Sequence, residues 1–348
     1  MSEKIMTVLG PLDPENLGCT LMHEHLLINL LCYYDPPKTP AESEQALEPV
    51  QLRNLGRMRQ KPYSNRDNLV LDQEQTAIEE LNYFKNLGGR ALVEVTSEGI
   101  GRNPEGLQRI SRATGVHIVA GCGYYVSSSH PPNLTERSIE SLTEEITRDL
   151  LEGIAGTGIR AGIIGEIGTS YPLHPDEEKC LRAAVRAQRR TGVCLCIHPA
   201  PQESAPFEVA RVLEEENADW PKVVMSHIED RFRHNLKAYR DLAQRGCYLA
   251  LDTFGKEEYI PSRKRQRLND AQRIEILKAL LNEGYRDQLL IAQDVCTKMD
   301  LRSYGGYGYG HILEHLWPRF LESGIREEDL GYILKENPKR ALAIRSLT

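Results

Sequence analysis

The sequence predicts a (β/α)8 (TIM) barrel, and three observations carry the prediction. Short apolar runs alternate with longer amphipathic stretches, the runs number eight, and a glycine repeatedly separates a helical stretch from the run that follows it. The runs fall at about 20–23, 91–96, 117–121, 162–167, 193–198, 222–227, 248–251 and 289–293. Parallel strands buried on both faces read as such near-continuous apolar runs. Between them, stretches at about 74–87, 138–151, 177–190, 206–216, 236–245 and 271–282 carry apolar residues at helical spacing. Gly88, Gly115, Gly192, Gly246 and Gly284 each stand where a helix would close in a left-handed turn before the next strand. An open doubly wound sheet is the weaker alternative, because no Gly-rich phosphate loop follows the first strand.

Two connections are too long for plain turns. Residues 31–70, rich in Pro, Glu and Gln, read as an insertion over one end of the barrel, and residues 295–310 read as a long loop after the eighth strand. That loop carries Tyr304-Gly305-Gly306-Tyr307-Gly308-Tyr309 and leads into a helix with His311 and His315 four apart on one face. Such a pair can hold a metal. No carboxylate or third ligand is implied beside it, however, and packing or surface histidines are the better interpretation. One barrel domain accounts for residues 1–348.

Composition excludes several function classes. A chain of 348 residues that is 40% apolar and 27% charged can bury a large core. Its net charge of -7 lacks the concentration of Lys and Arg that phosphate backbones demand, so no nucleic-acid partner is expected. No stretch is apolar enough to span a membrane, and Met1-Ser2-Glu3-Lys4-Ile5 does not begin a signal peptide. The eight cysteines are scattered, in neither a disulfide framework nor a C-x-x-C zinc pattern. The expectation is a cytoplasmic protein with reduced, mostly structural thiols. Cys194 and Cys196 share a strand face with His198 and are read as small fillers of the barrel interior rather than soft ligands.

The chemistry gathers where the strands end, since the C-terminal ends of barrel strands face the site. His23 and His25 close the first strand two residues apart, which places both imidazoles on one face and Glu24 on the other. Glu166 stands in the fourth strand among apolar and Gly residues, His198 ends the fifth, His227 the sixth, and Asp294 follows the eighth. Hydrogen-bonded structural roles explain each of these singly. Four imidazoles and two carboxylates together form the ligand set of a site for two divalent ions, Zn by preference for mixed nitrogen and oxygen donors.

These residues and their surroundings, GIIGEIGTS, IHPAP, MSHIED, AQDVCTK and ENPKRAL, are similar to the phosphotriesterase family of the amidohydrolase superfamily, most of all to the phosphotriesterase-related proteins. The similarity runs from about Thr7 to Ala343. It implies a (β/α)8 barrel, a homodimer and a binuclear metal centre. By resemblance, His23, His25 and Asp294 hold one ion, His198 and His227 the other, and Glu166 and a hydroxide bridge them. Many members use a carboxylated lysine as the bridge; Glu166 carries the same single negative charge. The resemblance also implies that Asp294 takes the nucleophile's proton and passes it to the leaving group, that Tyr125 stands beside the substrate, and that Asp230 matches a proton-relay residue. The relay histidine that follows Leu-Asp in the phosphotriesterases proper is here Thr253 after Leu251-Asp252, which weakens the case for phosphotriesters.

What the resemblance implies is a metal-dependent hydrolase of small carbonyl compounds, N-acyl amino acids or N-acetyltaurine-like amides, with lactones or phosphotriesters as alternatives. Arg263, Lys264, Arg265, Arg267, Lys298 and Arg302 lie in the loops after strands seven and eight, where one or two can bind an anionic group or the set can stay solvated. Two rivals stand beside the enzyme: a ligand-binding barrel without catalysis, and a barrel with only a structural metal.

Overall fold

The computed structural model describes residues 3–345. Its main sheet is all-parallel and runs in sequential order: β1 Thr20–Glu24, β2 Ala91–Glu94, β3 His117–Cys122, β4 Ile163–Gly168, β5 Leu195–His198, β6 Val223–Met225, β7 Tyr248–Leu251 and β8 Leu289–Ile291. All eight apolar runs are strands. The runs overshoot at residues 95–96, 226–227 and 292–293, where the backbone leaves the ladder to build the site. His227 and Asp294, just past β6 and β8, have φ of 57° and 52°, which no strand pattern announces.

Between β8 and β1 the barrel closes by other means than a regular ladder. His25 N donates to Val295 O and Asp294 N to His23 O, both at 3.2 Å. Glu24, pointing away from its histidine neighbours, completes the seam by accepting from Gln293 N and Val295 N at 2.8 Å each. Burial pushes the Glu24 carboxyl up to about 8, against the pull of these two amides.

Period-two alternation sorts the side chains into two layers. Met22, Val93, Val119, Ile163, Cys196, Val224, Ala250 and Leu290, one from each strand, pack together as the barrel interior. Their neighbours Leu21, Leu92, Ile118, Ile164, Leu195, Met225, Leu249 and Ile291 pack outward against the helices. Each fully buried aliphatic chain contributes about 1.5–3 kcal/mol, so these two layers hold the strand ends in register. Cys194 and Cys196 are interior fillers, with Cys196 Sγ 3.3 Å from Ser226 Oγ.

The surrounding helices are α1 Glu74–Asn86, α2 Pro104–Thr114, α3 Ile139–Leu151, α4 Pro175–Thr191, α5 Ala205–Glu215, α6 Leu236–Ala243 and α7 Asp270–Asn282. The five glycines named above lie at φ between 69° and 99°. Helix α2, marked in the sequence only by Gly115 at its end, starts where Asn103 accepts from Gly106 N at 2.9 Å and Pro104 opens the first turn. The hairpin of Glu3–Thr7 and Gly10–Leu12 lies under the strands' N-terminal ends, with Val8 N donating to Ile118 O and Ile5 in the interior layer. No helix among the described residues is long and apolar enough to cross a membrane.

Three segments cover the opposite end. Ile28–Asn29 pairs with Val70–Leu71 and brackets an excursion with helices Pro40–Leu47 and Leu55–Gln60. After β7 comes a ribbon of Tyr259–Ile260 against Arg265–Gln266. The Gly/Tyr loop after β8 places the Tyr309 hydroxyl on His25 O at 2.6 Å. It then enters a π-helical turn, Ile312–Leu316, capped by His311, which is a packing residue: Nε2 meets Asp270 Oδ2 at 2.7 Å and the ring stacks on Tyr307.

Candidate active site

The six strand-end residues come together. His23 Nε2 is 3.3 Å and His25 Nε2 3.4 Å from the two oxygens of Glu166. Asp294 Oδ1 lies 3.5 Å from His25 Nε2 and 3.8 Å from His23 Nε2. On the other side His198 Nδ1 is 2.9 Å from both Glu166 Oε2 and His227 Nε2. Glu166 reaches this centre because Gly165, at φ 121°, lets β4 approach β5; a Cβ there would sit 2.2 Å from Cys196 O.

His227 and Asp294 occupy left-handed backbone that non-glycine residues adopt at a cost of about 1–3 kcal/mol. Each is held by a specific partner: Asp252 Oδ1 accepts from His227 N at 2.8 Å, and Asp294 N donates to His23 O. Asp252 also orients two rings, with Oδ1 2.7 Å from His227 Nδ1 and Oδ2 3.2 Å from His23 Nδ1. His25 Nδ1 meets Thr96 Oγ1 at 2.8 Å, and that hydroxyl donates to Glu94 at 2.6 Å. Such outer carboxylates fix the tautomer and direction of metal-binding histidines.

The electrostatics follow from this packing. Burial works against the charge on Glu166, yet His23 and His198 hold its carboxyl well below the usual range. Burial likewise opposes ionised Asp294, which Lys256 and the histidines keep low. Burial lowers His198 to about 3, which leaves a neutral imidazole with a free lone pair. His23 Nε2 is buried without a hydrogen-bond partner, facing two carboxylates. A nitrogen so placed, in a set of four imidazoles and two carboxylates, suits a cation. His23, His25 and Asp294 form one group whose ligand atoms lie within 4.8 Å of one another, and His23, Glu166 and His227 another.

A cavity opens onto this centre, and its wall adds groups from the loops. Tyr125 lines it, its hydroxyl 3.3 Å from His198 Nδ1 and 3.2 Å from the Tyr33 hydroxyl. Arg231, Arg263 and Arg267 line it as well. The other basic residues named from the sequence lie elsewhere: Lys298 pairs with Asp67, Arg302 covers the Tyr83 ring, Arg265 donates to Pro201 O, and Lys264 is exposed at the ribbon tip. Asp230 is not brought to the ring; its Oδ2 accepts from Arg267 Nη1 at 2.6 Å. Thr253 is also turned away, donating to Glu229 and accepting from Arg273.

Sequence reasoning missed Arg231, Tyr33, Tyr63, Lys256 and the orienting role of Asp252. For Arg231 a signal existed. It stands four residues after His227, and residues Ile228–Phe232 form a short helix, so an i, i+4 relation returns it to the same side. The others sit in loops, where spacing carries no period.

Comparison with known proteins decides the family, because the pattern that defines the phosphotriesterase family matches residues 3–342. The chain belongs to the phosphotriesterase family. It is 43% identical over 348 residues to the N-acetyltaurine hydrolase of Rattus norvegicus, covering 99% of both chains, and 44% identical over 349 residues to that of Bos taurus, again covering 99% of each. Among solved structures it superposes with a TM-score of 0.95 on a resiniferatoxin-binding protein from Rhodobacter sphaeroides, at 38% identity over 97% of this chain and 94% of that one. A phosphotriesterase homology protein from Escherichia coli, solved with phosphate in its active site, gives a TM-score of 0.78 at 29% identity, covering 93% and 98%. The phosphotriesterase-family chain described here is therefore a hydrolase, and metal dependence accords with its family.

Proposed function

We propose that this hydrolase cleaves the amide bond of a small N-acyl amide with an anionic tail, N-acetyltaurine or an N-acyl amino acid, using two divalent ions, Zn by donor preference. The observation that carries this reading is the placement of Arg231, Arg263 and Arg267 in the wall of the cavity that holds the six-residue ring. A sulfonate or carboxylate is the group such a wall recognises, through charge-assisted hydrogen bonds. The relatives at 43–44% identity, which carry the name N-acetyltaurine hydrolase, support the same choice.

In this scheme His23, His25 and Asp294 would hold one ion and His198 and His227 the other, with Glu166 available to both. Bound divalent ions polarise a carbonyl oxygen and make water more acidic. The chain's own residues do the rest. The arginines hold the anionic tail, and Tyr125 with Tyr33 walls the acyl side next to His198. Asp294 accepts the proton of the attacking water at a carboxylate oxygen and returns it to the departing amine, so amide and water become carboxylate and amine. Asp230 acts at one remove, by anchoring Arg267. The protein works as a cytoplasmic homodimer in this account, in keeping with eight free cysteines.

The test compares N-acetyltaurine, an N-acyl amino acid, uncharged N-ethylacetamide, a γ-lactone and an aryl phosphotriester on one metal-replete preparation, with metal analysis and light scattering alongside. The expected result is about two divalent ions per chain and a kcat/KM for the anionic amides at least about a hundredfold above that for N-ethylacetamide, as two charge-assisted contacts would give. A preference for the lactone or phosphotriester overturns the substrate assignment.

A further inference from the structure

The carboxylate of Asp294 is held from two sides. Its Oδ1 faces His25 and His23, while Oδ2 lies 3.4 Å from the Nζ of Lys256. Lys256 is buried, and its Nζ also lies 3.4 Å from Asp300 Oδ2 and 2.9 Å from Cys296 Sγ. Asp300 is itself fixed, accepting from Thr297 N and Thr297 Oγ1, so it anchors the ammonium to the start of the loop after β8.

The backbone that delivers Lys256 is built for the purpose. Thr253, just past β7, is held by Glu229 and Arg273. The chain then turns at Gly255, whose φ of 89° and close approach to His311 exclude a side chain, and Gly255 N is held by Asp270 Oδ1 at 2.8 Å. Lys256 N donates to Thr253 O and Lys256 O accepts from Arg273 Nη2 at 2.7 Å. The side chain is thus aimed from a braced turn.

Lys256 lines a separate cavity, together with Asp300, Tyr307 and His311, and is absent from the wall of the cavity that holds Tyr125 and the arginines. An ammonium outside the substrate cavity acts on substrate only through what it touches. We propose that Lys256 is the positioning residue of Asp294: by holding Oδ2 it keeps Oδ1 directed at the histidines. A buried ammonium beside two carboxylates is stable only when paired in this way, and either carboxylate left alone would be free to rotate or to pair elsewhere.

The inference rests on the assignment of Asp294 as ligand and proton acceptor, so the test includes a readout that needs no substrate. Lys256→Met, Lys256→Arg, Asp294→Asn and the double variant Lys256→Met/Asp294→Asn are prepared with Co2+. In Lys256→Met the visible cobalt spectrum shifts while the ions per chain stay constant. Its kcat falls roughly ten- to hundredfold, the loss that misplacement by about 1 Å produces, with KM unchanged. Lys256→Arg restores part of the loss, and the double variant is no slower than Asp294→Asn. A spectrum and kcat equal to wild type overturn the proposal. So does a raised KM at constant kcat, which would make Lys256 a substrate contact, and so does a double variant in which the two losses multiply. If wild type hydrolyses no N-acyl amide, the function assignment falls while the cobalt spectra still decide Lys256. Should Lys256→Met not fold, Lys256→Gln carries the same expectations.

Discussion

The two sides of the cavity at the six-residue ring are built on different principles. On one side, six residues stand at strand ends, and their directions are set by backbone and by buried carboxylates such as Asp252 and Glu94. On the other, Arg231, Arg263 and Arg267 come from a short helix and a two-stranded ribbon, held by Pro199 O, by the Tyr33 ring and by Asp230. The first side is fixed by backbone and buried carboxylates; the second is fixed by side-chain contacts made within the loops. The difference suits a division of labour, with bond cleavage on the strands and substrate choice on the loops, where changes leave the reaction machinery intact. Variants on the strand side should therefore lose kcat or metal, and variants on the loop side should lose KM for one class of substrate.

The largest expected effect is at Asp294. Asp294→Asn keeps an oxygen donor and removes the base, and general base catalysis is worth about 10² to 10⁴ in rate, so kcat should fall at least about a hundredfold with most metal retained. Metal analysis beside kcat on one preparation checks this. Loss of metal in step with activity would reduce Asp294 to a charge-neutralising ligand. Next comes Asp252→Asn. Because this one carboxylate orients both His23 and His227, which the proposed scheme assigns to different ions, its replacement should weaken metal binding about 10- to 100-fold, measured by competition with a chelator. Unchanged affinity would mean that the strand backbone alone orients the rings.

The same division explains what could be read from the sequence. His23 and His25 are legible because strand alternation fixes their common face, His198 and His227 because each closes an apolar run, and Glu166 because it is a lone carboxylate inside one. Their grouping into ligand sets came from resemblance, since strand order does not say which rings meet. Asp252 also closes an apolar run, yet nothing in the pattern distinguishes a carboxylate that orients rings from one that touches substrate. Asp230 shows the converse: a match by position that the fold ties to Arg267 instead of the ring. Of six basic loop residues, only Arg263 and Arg267 face the cavity, because a ribbon of two paired residues on each side sets their direction and has no readable period. Helix α2 is marked only by Gly115, because its buried face carries just two large apolar residues, Leu107 and Ile110, among Gly106, Ser111 and Thr114.

The smallest effect, and the one that tests the loop side most directly, is expected at Arg263. Arg231 already donates to Pro199 O and Arg267 to Asp230, whereas the Arg263 guanidinium, 5.6 Å over the Tyr33 ring, has no carboxylate or carbonyl partner among the described residues. Its donors are therefore the ones most available to an anionic tail. A hydrogen bond to a charged group is worth about 1.5–3 kcal/mol when buried, and half-exposure reduces that, so Arg263→Ala should raise KM for N-acetyltaurine roughly tenfold. Two further signatures follow. The value of kcat should stay within about a factor of two, since the contact is equal in ground and transition states, and KM for N-ethylacetamide should not move. Arg263→Lys should recover only part of the loss, because a point charge cannot match the planar fork on a sulfonate or carboxylate. Equal effects on the charged and uncharged amides would show that Arg263 only packs on Tyr33, and that the loop side shapes the cavity without reading charge.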